Sequence, residues 1–205
     1  MMNYLELDYM DEKTEGVIDR GSHYIYKGDI RDVNERKIQF HFNKPLFVDG
    51  DIRAIGGFLS EKSLYCSGRI MVCRDSLVKG RLISKDISAV SKSGSILIRV
   101  WGDVISETIN LVSKVKDIIV DIRSDDGCVY TDNITITSSV STSGIYNYSG
   151  SVFTLNESLH RLKRIPESTL ISKRESVLGD LDVPNPFRTL ADIKSEQMTA
   201  ESKSE

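Results

Sequence analysis

From residue 46 to residue 152 the chain alternates apolar and polar positions. Ile96, Ile98 and Val100 take every second place, and so do Val120 and Ile122, Ile134 and Ile136, and Leu64 and Cys66. Successive side chains leave a strand on opposite sides, so this period predicts strands with one face buried. Helical spacing is nearly absent over the same span. Pro45 and Pro166 bracket 120 residues that contain no proline. Proline removes a donor from a sheet ladder, so such a stretch suits a continuous sheet. Serine and threonine are abundant, as in Thr135 to Gly144, and fit outward strand positions and tight corners.

A second rhythm lies over the first. Gly50-Asp51-Ile52, Gly68-Arg69-Ile70, Gly80-Arg81-Leu82, Gly94-Ser95-Ile96 and Gly102-Asp103-Val104 repeat one order, with an earlier copy at Gly28-Asp29-Ile30 and looser ones at Gly127-Cys128-Val129 and Gly150-Ser151-Val152. Gly50 to Gly68 is eighteen residues and Gly68 to Gly80 is twelve, while the later steps of fourteen and eight imply an insertion at a corner. About six residues make one short strand and its turn, and three such sides make one coil. The prediction is all-β: a parallel β-helix, a three-sided solenoid of about six coils, about 30 Å tall, with corner glycines supplying unusual backbone angles. The competing fold is a β-sandwich with hairpins at Asp49-Gly50 and Asp126-Gly127.

This divides the chain into a small N-terminal cap or extension over residues 1–45, a β-helix over 46–165 and a largely disordered tail over 166–205. The tail is polar, with no aromatic after Phe187. The basic piece Ser158 to Ile165 reads as a short helix over the last coil. A short solenoid has two ends, each with a row of peptide groups to satisfy. Aromatic residues gather near both, and Phe40, Phe42, Phe47, Tyr146, Tyr148 and Phe153 are the candidate contact residues, either as caps of the core or as an end-to-end surface.

Charge adds a direction. The whole chain carries −3, which is no signature for nucleic acid. Arg53 to Arg99 holds nine Lys/Arg against three Asp/Glu, and Trp101 to Asp132 holds three against seven. A positive lower half and a negative upper half would favour head-to-tail association. No transmembrane run and no signal peptide are read, so the expected location is cytoplasmic, with no membrane partner.

Candidate chemistry is sparse. Cys66, Cys73 and Cys128 lack metal-site spacing, and Cys66 and Cys73, in alternating apolar context, read as small buried hydrophobes; His23, His41 and His160 are scattered. Asp121, Arg123, Asp125, Asp126 and Asp132 form the one cluster that acid–base catalysis could use, though paired acids beside glycine more often mark a turn. No nucleophile motif and no phosphate loop occur. The expectation is a chain without catalytic, metal or cofactor-binding residues, and not an enzyme.

The runs VDGDIRA, SGRIMV, SLVKGRLISKDISAV and SGSILIRVWGDVIS resemble the core of the bactofilins, bacterial polymer-forming proteins. The resemblance is best over residues 46–106 and fades after Val112. It implies a right-handed three-sided β-helix, cytosolic filaments formed without a nucleotide, and flexible termini. The acidic N-terminus departs from the short apolar motif of membrane-binding members. The functional expectation is a structural or scaffold protein that self-associates through the ends of its β-helix. The alternative is a discrete β-helical binding module that docks a protein partner along an outer face.

Overall fold

A computed structural model describes residues 4–115, 117–137, 145–154, 162–179 and 187. Strands are numbered in chain order. Face one of the molecule is built from β4 (Tyr24–Lys27), β7 (Leu46–Asp49), the first halves of β10 (Leu64–Val72), β12 (Leu82–Ser91), β14 (Val104–Ser113) and β16 (Val129–Ile136), then β17 (Tyr146–Tyr148) and β19 (Leu162–Arg164). Face two takes β1 (Tyr4–Leu7), β5 (Asp29–Asp32), β8 (Ile52–Ala54), the second halves of the four long strands, and β18 (Val152–Thr154). Face three is a separate six-stranded sheet of β2 (Tyr9–Asp11), β6 (Ile38–His41), β9 (Phe58–Ser60), β11 (Ser76–Val78), β13 (Ile96–Val100) and β15 (Val120–Ser124). Neighbouring coils pair in parallel, so the solenoid reading holds and the sandwich is excluded.

The interior is a set of in-register columns. Leu46, Leu64, Leu82, Val104 and Val129 stack on face one, and Ile30, Ile52, Ile70, Ile87, Ile109 and Ile134 on face two. All are buried in one continuous core. Like side chains at like heights give each coil the same cross-section, and that lets the next coil settle on it.

The corners explain the glycine rhythm, and for a different reason than the sequence suggests. Gly28 has the expected unusual angle, with φ of 138°, but Gly50 and Gly68 do not have positive φ. What they need is room: a Cβ on Gly50 would stand 2.4 Å from the carbonyl oxygen of Gly28, and one on Gly127 would stand 2.7 Å from the backbone nitrogen of Asp103. Gly68 sits between faces one and two, whereas Gly80 sits between faces three and one, so the twelve residues between them are two sides of a coil. Gly94 belongs to neither stack. It lies in the lengthened turn between β12 and β13, where a Cβ would meet nothing within 4 Å.

The aspartate after the glycine also has a task. Asp29 accepts the backbone N–H of Asp51 at 2.8 Å, Asp51 accepts that of Arg69 at 2.7 Å, and Asp103 accepts that of Cys128 at 3.0 Å. Each carboxylate thus closes a corner donor of the next coil, where the ladder bends and cannot. Inside the bend between faces one and two runs a polar row of Cys66, Ser84, Ser106 and Thr131. The Ser84 hydroxyl lies 2.9 Å from the Gly68 carbonyl and 2.8 Å from that of Asp86, and Ser106 and Thr131 repeat the arrangement one and two coils on. The Cys66 thiol takes the place of a hydroxyl, and burial pushes its pKa up to about 12, which leaves it inert.

Both flanks differ from expectation. Residues 4–45 are not a separate cap: β1, β2, β4, β5 and β6 are coils of the solenoid, in parallel register with the strands of the coils above them. An antiparallel strand β3 (Val17–Asp19) lies against β4. At the other end Leu162–Arg164 is strand, not helix, and pairs with β17; Ser158 to Arg161 lie outside the described residues. The segment expected to be a largely disordered tail begins with a helix, α1 (Glu167–Gly179). Residues 180–186 and 188–205 are not among those described.

Helix α1 has a place to dock because face one is apolar on its outer side too. Ile25, Phe47, Tyr65, Ile83 and Ile105 form a second in-register row, buried together with Val177 and Leu178 of the helix and with Phe187. Arg174, 2 % exposed, donates to the Ser106 carbonyl at 2.8 Å and to Asp132 at 2.9 Å, and its guanidinium lies 4.6 Å from the Phe187 ring centre. Lys173 pairs with Asp103 at 2.9 Å.

Candidate functional site: the ends of the column

Parallel register along all three faces makes sequence order the order of coils along the axis, so the first and last coils are the two ends. At the C-terminal end Tyr146 points into the core and is fully buried. Its hydroxyl accepts the Ile122 N–H at 3.1 Å and lies 3.0 Å from the Ile122 carbonyl. It also donates to the Asp121 carboxylate. Ile122 and Asp121 belong to β15, the last strand of face three among the described residues. Tyr146 is therefore a plug: it fills the column and satisfies groups that a further strand would have paired. Near the other end Tyr24 donates to Asn43 at 3.2 Å, and its ring lies 5.2 Å from Phe42. Phe40 packs against Phe58 with ring centres 6.1 Å apart.

Four of the six sequence-predicted contact residues are thus interior to one chain. Phe40, Phe42 and Tyr146 fill the core, and Phe47 lies in the outer row beneath the C-terminal segment. Tyr148 is half-buried. Phe153 alone of the six stands out, 57 % exposed on β18. The buried rings of the amino-terminal group lie inside the column between coils, and sequence alone could not separate an inward from an outward ring. What was missed is Tyr9, Ile18 and Ile145, each exposed on or beside a terminal strand.

The charge pattern changes once residues 4–45 join the column. Tyr4 to Asp19 holds Glu6, Asp8, Asp11, Glu12, Glu15 and Asp19 against Lys13, a net of −5. Ile145 to Ile165 holds Arg161, Lys163 and Arg164 against Glu157, a net of +2. Lys163 and Arg164 are exposed on β19, the last strand of face one among the described residues. The positive lower half and negative upper half are therefore internal stretches, joined by Arg99 to Asp125 at 2.6 Å, and the terminal segments are acidic first and basic last in sequence, with Glu6, Asp8 and Asp19 of the first paired to Arg31, Arg36 and Lys44.

Of the cluster Asp121, Arg123, Asp125, Asp126 and Asp132, the members Arg123, Asp125 and Asp126 line one open depression with Arg99 and Trp101, while Asp121 is buried against the Tyr146 hydroxyl. Asp125 is held by Arg99 and Arg123, while Asp132 binds Arg174 and Ser149. Among the described residues no group of three or more His, Cys, Asp and Glu is placed to hold a metal ion, and no helix is long and apolar enough to cross a membrane. Asp121 is the unusual member: burial raises its pKa to about 6, against smaller lowering effects of the Tyr146 hydroxyl, the Ile122 N–H and Arg123. The unfolded chain releases this proton near the ordinary aspartate value, so it binds fewer protons than the folded chain between about pH 4 and pH 6. That part of the stability is present at acid pH and is lost as pH rises through about 6. Asp121→Asn keeps an acceptor for Tyr146 and removes the charge. It should raise stability at pH 7.5 by roughly 1–3 kcal/mol in urea melts, and by much less at about pH 4.5. A variant no more stable than the parent at pH 7.5 would refute this account.

A scan against protein-family models found no match to this chain, and searches of curated proteins and of solved structures returned none either.

Proposed function

We propose that the protein is a non-enzymatic structural element that stacks on copies of itself, the N-terminal end of one column against the C-terminal end of the next. The observation that carries this reading is the opposite charge of the two terminal segments, −5 over Tyr4 to Asp19 and +2 over Ile145 to Ile165. Exposed apolar side chains flank both: Tyr9 and Ile18 at the first, Ile145 and Phe153 at the last. Charge complementarity steers and orients the encounter, and apolar contact supplies affinity. A contact between two different patches related by translation along an axis does not close, so it builds a filament. Tyr146 and β3 fit this picture as limits. They satisfy part of each terminal ladder, so the joint rests on side chains as well as on backbone pairing.

Sedimentation velocity tests it. Self-association should be strong in about 50 mM salt and should weaken in about 500 mM salt, where charges beyond a few ångströms are screened. The double change Lys163→Glu and Arg164→Glu should cut association at least about tenfold at low salt. Added in small amounts to the parent protein, the same variant should shorten the polymers by occupying one kind of end. A chain that stays monomeric at low salt, or a double variant that polymerises like the parent, would overturn the proposal.

A further inference from the structure

A second surface lies away from both ends. Trp101, the single tryptophan of the chain, stands at the corner between faces three and one and is 45 % exposed. It borders an open depression of about 520 Å³ lined by Arg99, Trp101, Arg123, Asp125 and Asp126. The floor is fixed by backbone bonds between successive coils. Trp101 donates to Val78 at 3.0 Å and accepts from Asp126 at 2.8 Å, while Asp125 donates to Val100 at 2.8 Å. Arg99 and Arg123 are register partners on adjacent strands. Both reach the same carboxylate through Nε, Arg99 at 2.6 Å and Arg123 at 3.0 Å from Asp125. A guanidinium carries five N–H donors, more than its one contact with Asp125 uses, so each arginine has donors to offer a ligand. Lys79, held by Glu61 at 2.6 Å, sits 6.0 Å from the Trp101 ring centre.

We infer that this corner is a binding site for a neutral saccharide chain. An indole this exposed suits a ligand with one weakly apolar face. The negative π-cloud attracts the slightly positive C–H hydrogens on the flat side of a pyranose ring. Around the indole stand donors on Arg99, Arg123 and Lys79 and acceptors on Asp125 and Asp126. Hydroxyl groups both donate and accept, so they can use this mixed set. A phosphate or carboxylate would meet the two aspartates, and an ammonium would meet the two arginines. The depression is shallow and open, which suits a stretch of polymer lying across it more than an enclosed small molecule. The backbone floor of the site is held before the ligand arrives, which limits the ordering cost of binding to the side chains. It is independent of the ends, and a column of stacked copies would display it once per chain.

Trp101 is its own reporter. Titration of the full-length protein with cellohexaose, maltohexaose and the hexamer of N-acetylglucosamine should give a saturable blue shift of tryptophan emission for at least one of them, with Kd in the range of about 0.1–1 mM. Calorimetry with the same sugar should show at least about tenfold weaker binding for Trp101→Ala and for Arg123→Ala, with partial retention in Trp101→Phe. Sedimentation of Trp101→Ala should match the parent, which separates this site from stacking. No emission change with any of the three sugars at about 10 mM would overturn the inference. So would calorimetric binding that Trp101→Ala leaves unaltered, or saturation only by an acidic oligosaccharide. A protein partner captured by the parent and lost with Trp101→Ala, in the absence of sugar binding, would reassign the surface.

Discussion

Ending the chain after Ile165 should lower its stability by roughly 5 kcal/mol and should make it bind hydrophobic dyes. The reason is the outer row of face one. Ile25, Phe47, Tyr65, Ile83 and Ile105 are each under 8 % exposed, yet they point away from the core of the column. They cluster with Val177, Leu178 and Phe187, all of which the truncation removes. Fully burying one such side chain is worth about 1.5–3 kcal/mol, so losing cover from five of them, each in part, reaches the stated size. A graded version tests the polar anchor. Arg174→Ala takes the guanidinium from the Ser106 carbonyl and leaves Asp132 with Ser149 but no cation, whereas Arg174→Met keeps the stem that fills the same space. The alanine change should cost about 3 kcal/mol and the methionine change distinctly less. Urea melts, dye fluorescence and sedimentation read all three. A truncated chain with the parent's midpoint and no dye binding would show that the outer row is covered in some other way.

The interior of this fold was legible because its signal is local and repeated. Every coil spells its inward residues at alternate positions, and the corner glycines mark the sides. The outer row of face one was also written, as adjacent apolar pairs: Leu46-Phe47, Leu64-Tyr65, Leu82-Ile83, Val104-Ile105 and Val129-Tyr130. Two neighbours in a strand face opposite ways, so a pair that is apolar at both places marks a strand buried on both sides and asks for a cover. The cover itself was hard to see, since α1 has only Leu170, Ile171, Val177 and Leu178 as buried apolar residues among polar neighbours. Composition favoured disorder, and tertiary contact decided otherwise. The N-terminal coils escaped for a similar reason. Tyr24-Ile25 and Gly28-Asp29-Ile30 follow the rule, but the antiparallel strand β3 breaks the spacing just before them. The candidate ends suffered most. Which ring plugs and which ring projects depends on the one coil beyond it, and no local pattern encodes that.

The corner glycines give the sharpest contrast inside one molecule. Gly50→Ala should cost about 3 kcal/mol or more, and Gly94→Ala should stay within about 0.5 kcal/mol of the parent. Both belong to the same apparent Gly-x-Ile motif, so composition and motif forecast equal effects. Space separates them. At Gly50 the new methyl would lie 2.4 Å from the Gly28 carbonyl oxygen, 2.6 Å from its carbon and 2.8 Å from Asp29 Oδ1. The first two are backbone atoms of the coil beneath, so relief requires the coils to part. Parting them also loosens the bond from the Asp51 N–H to Asp29 and the one from the Gly68 N–H to the Gly50 carbonyl at 3.1 Å. At Gly94 nothing stands within 4 Å, and φ is not in the left-handed range. A less flexible residue there even trims the freedom of the unfolded chain. Thermal melts of the two variants, run beside the parent, measure the difference directly. If Gly94→Ala destabilised as much as Gly50→Ala, the glycines would be serving backbone conformation rather than the close approach of one coil to the next.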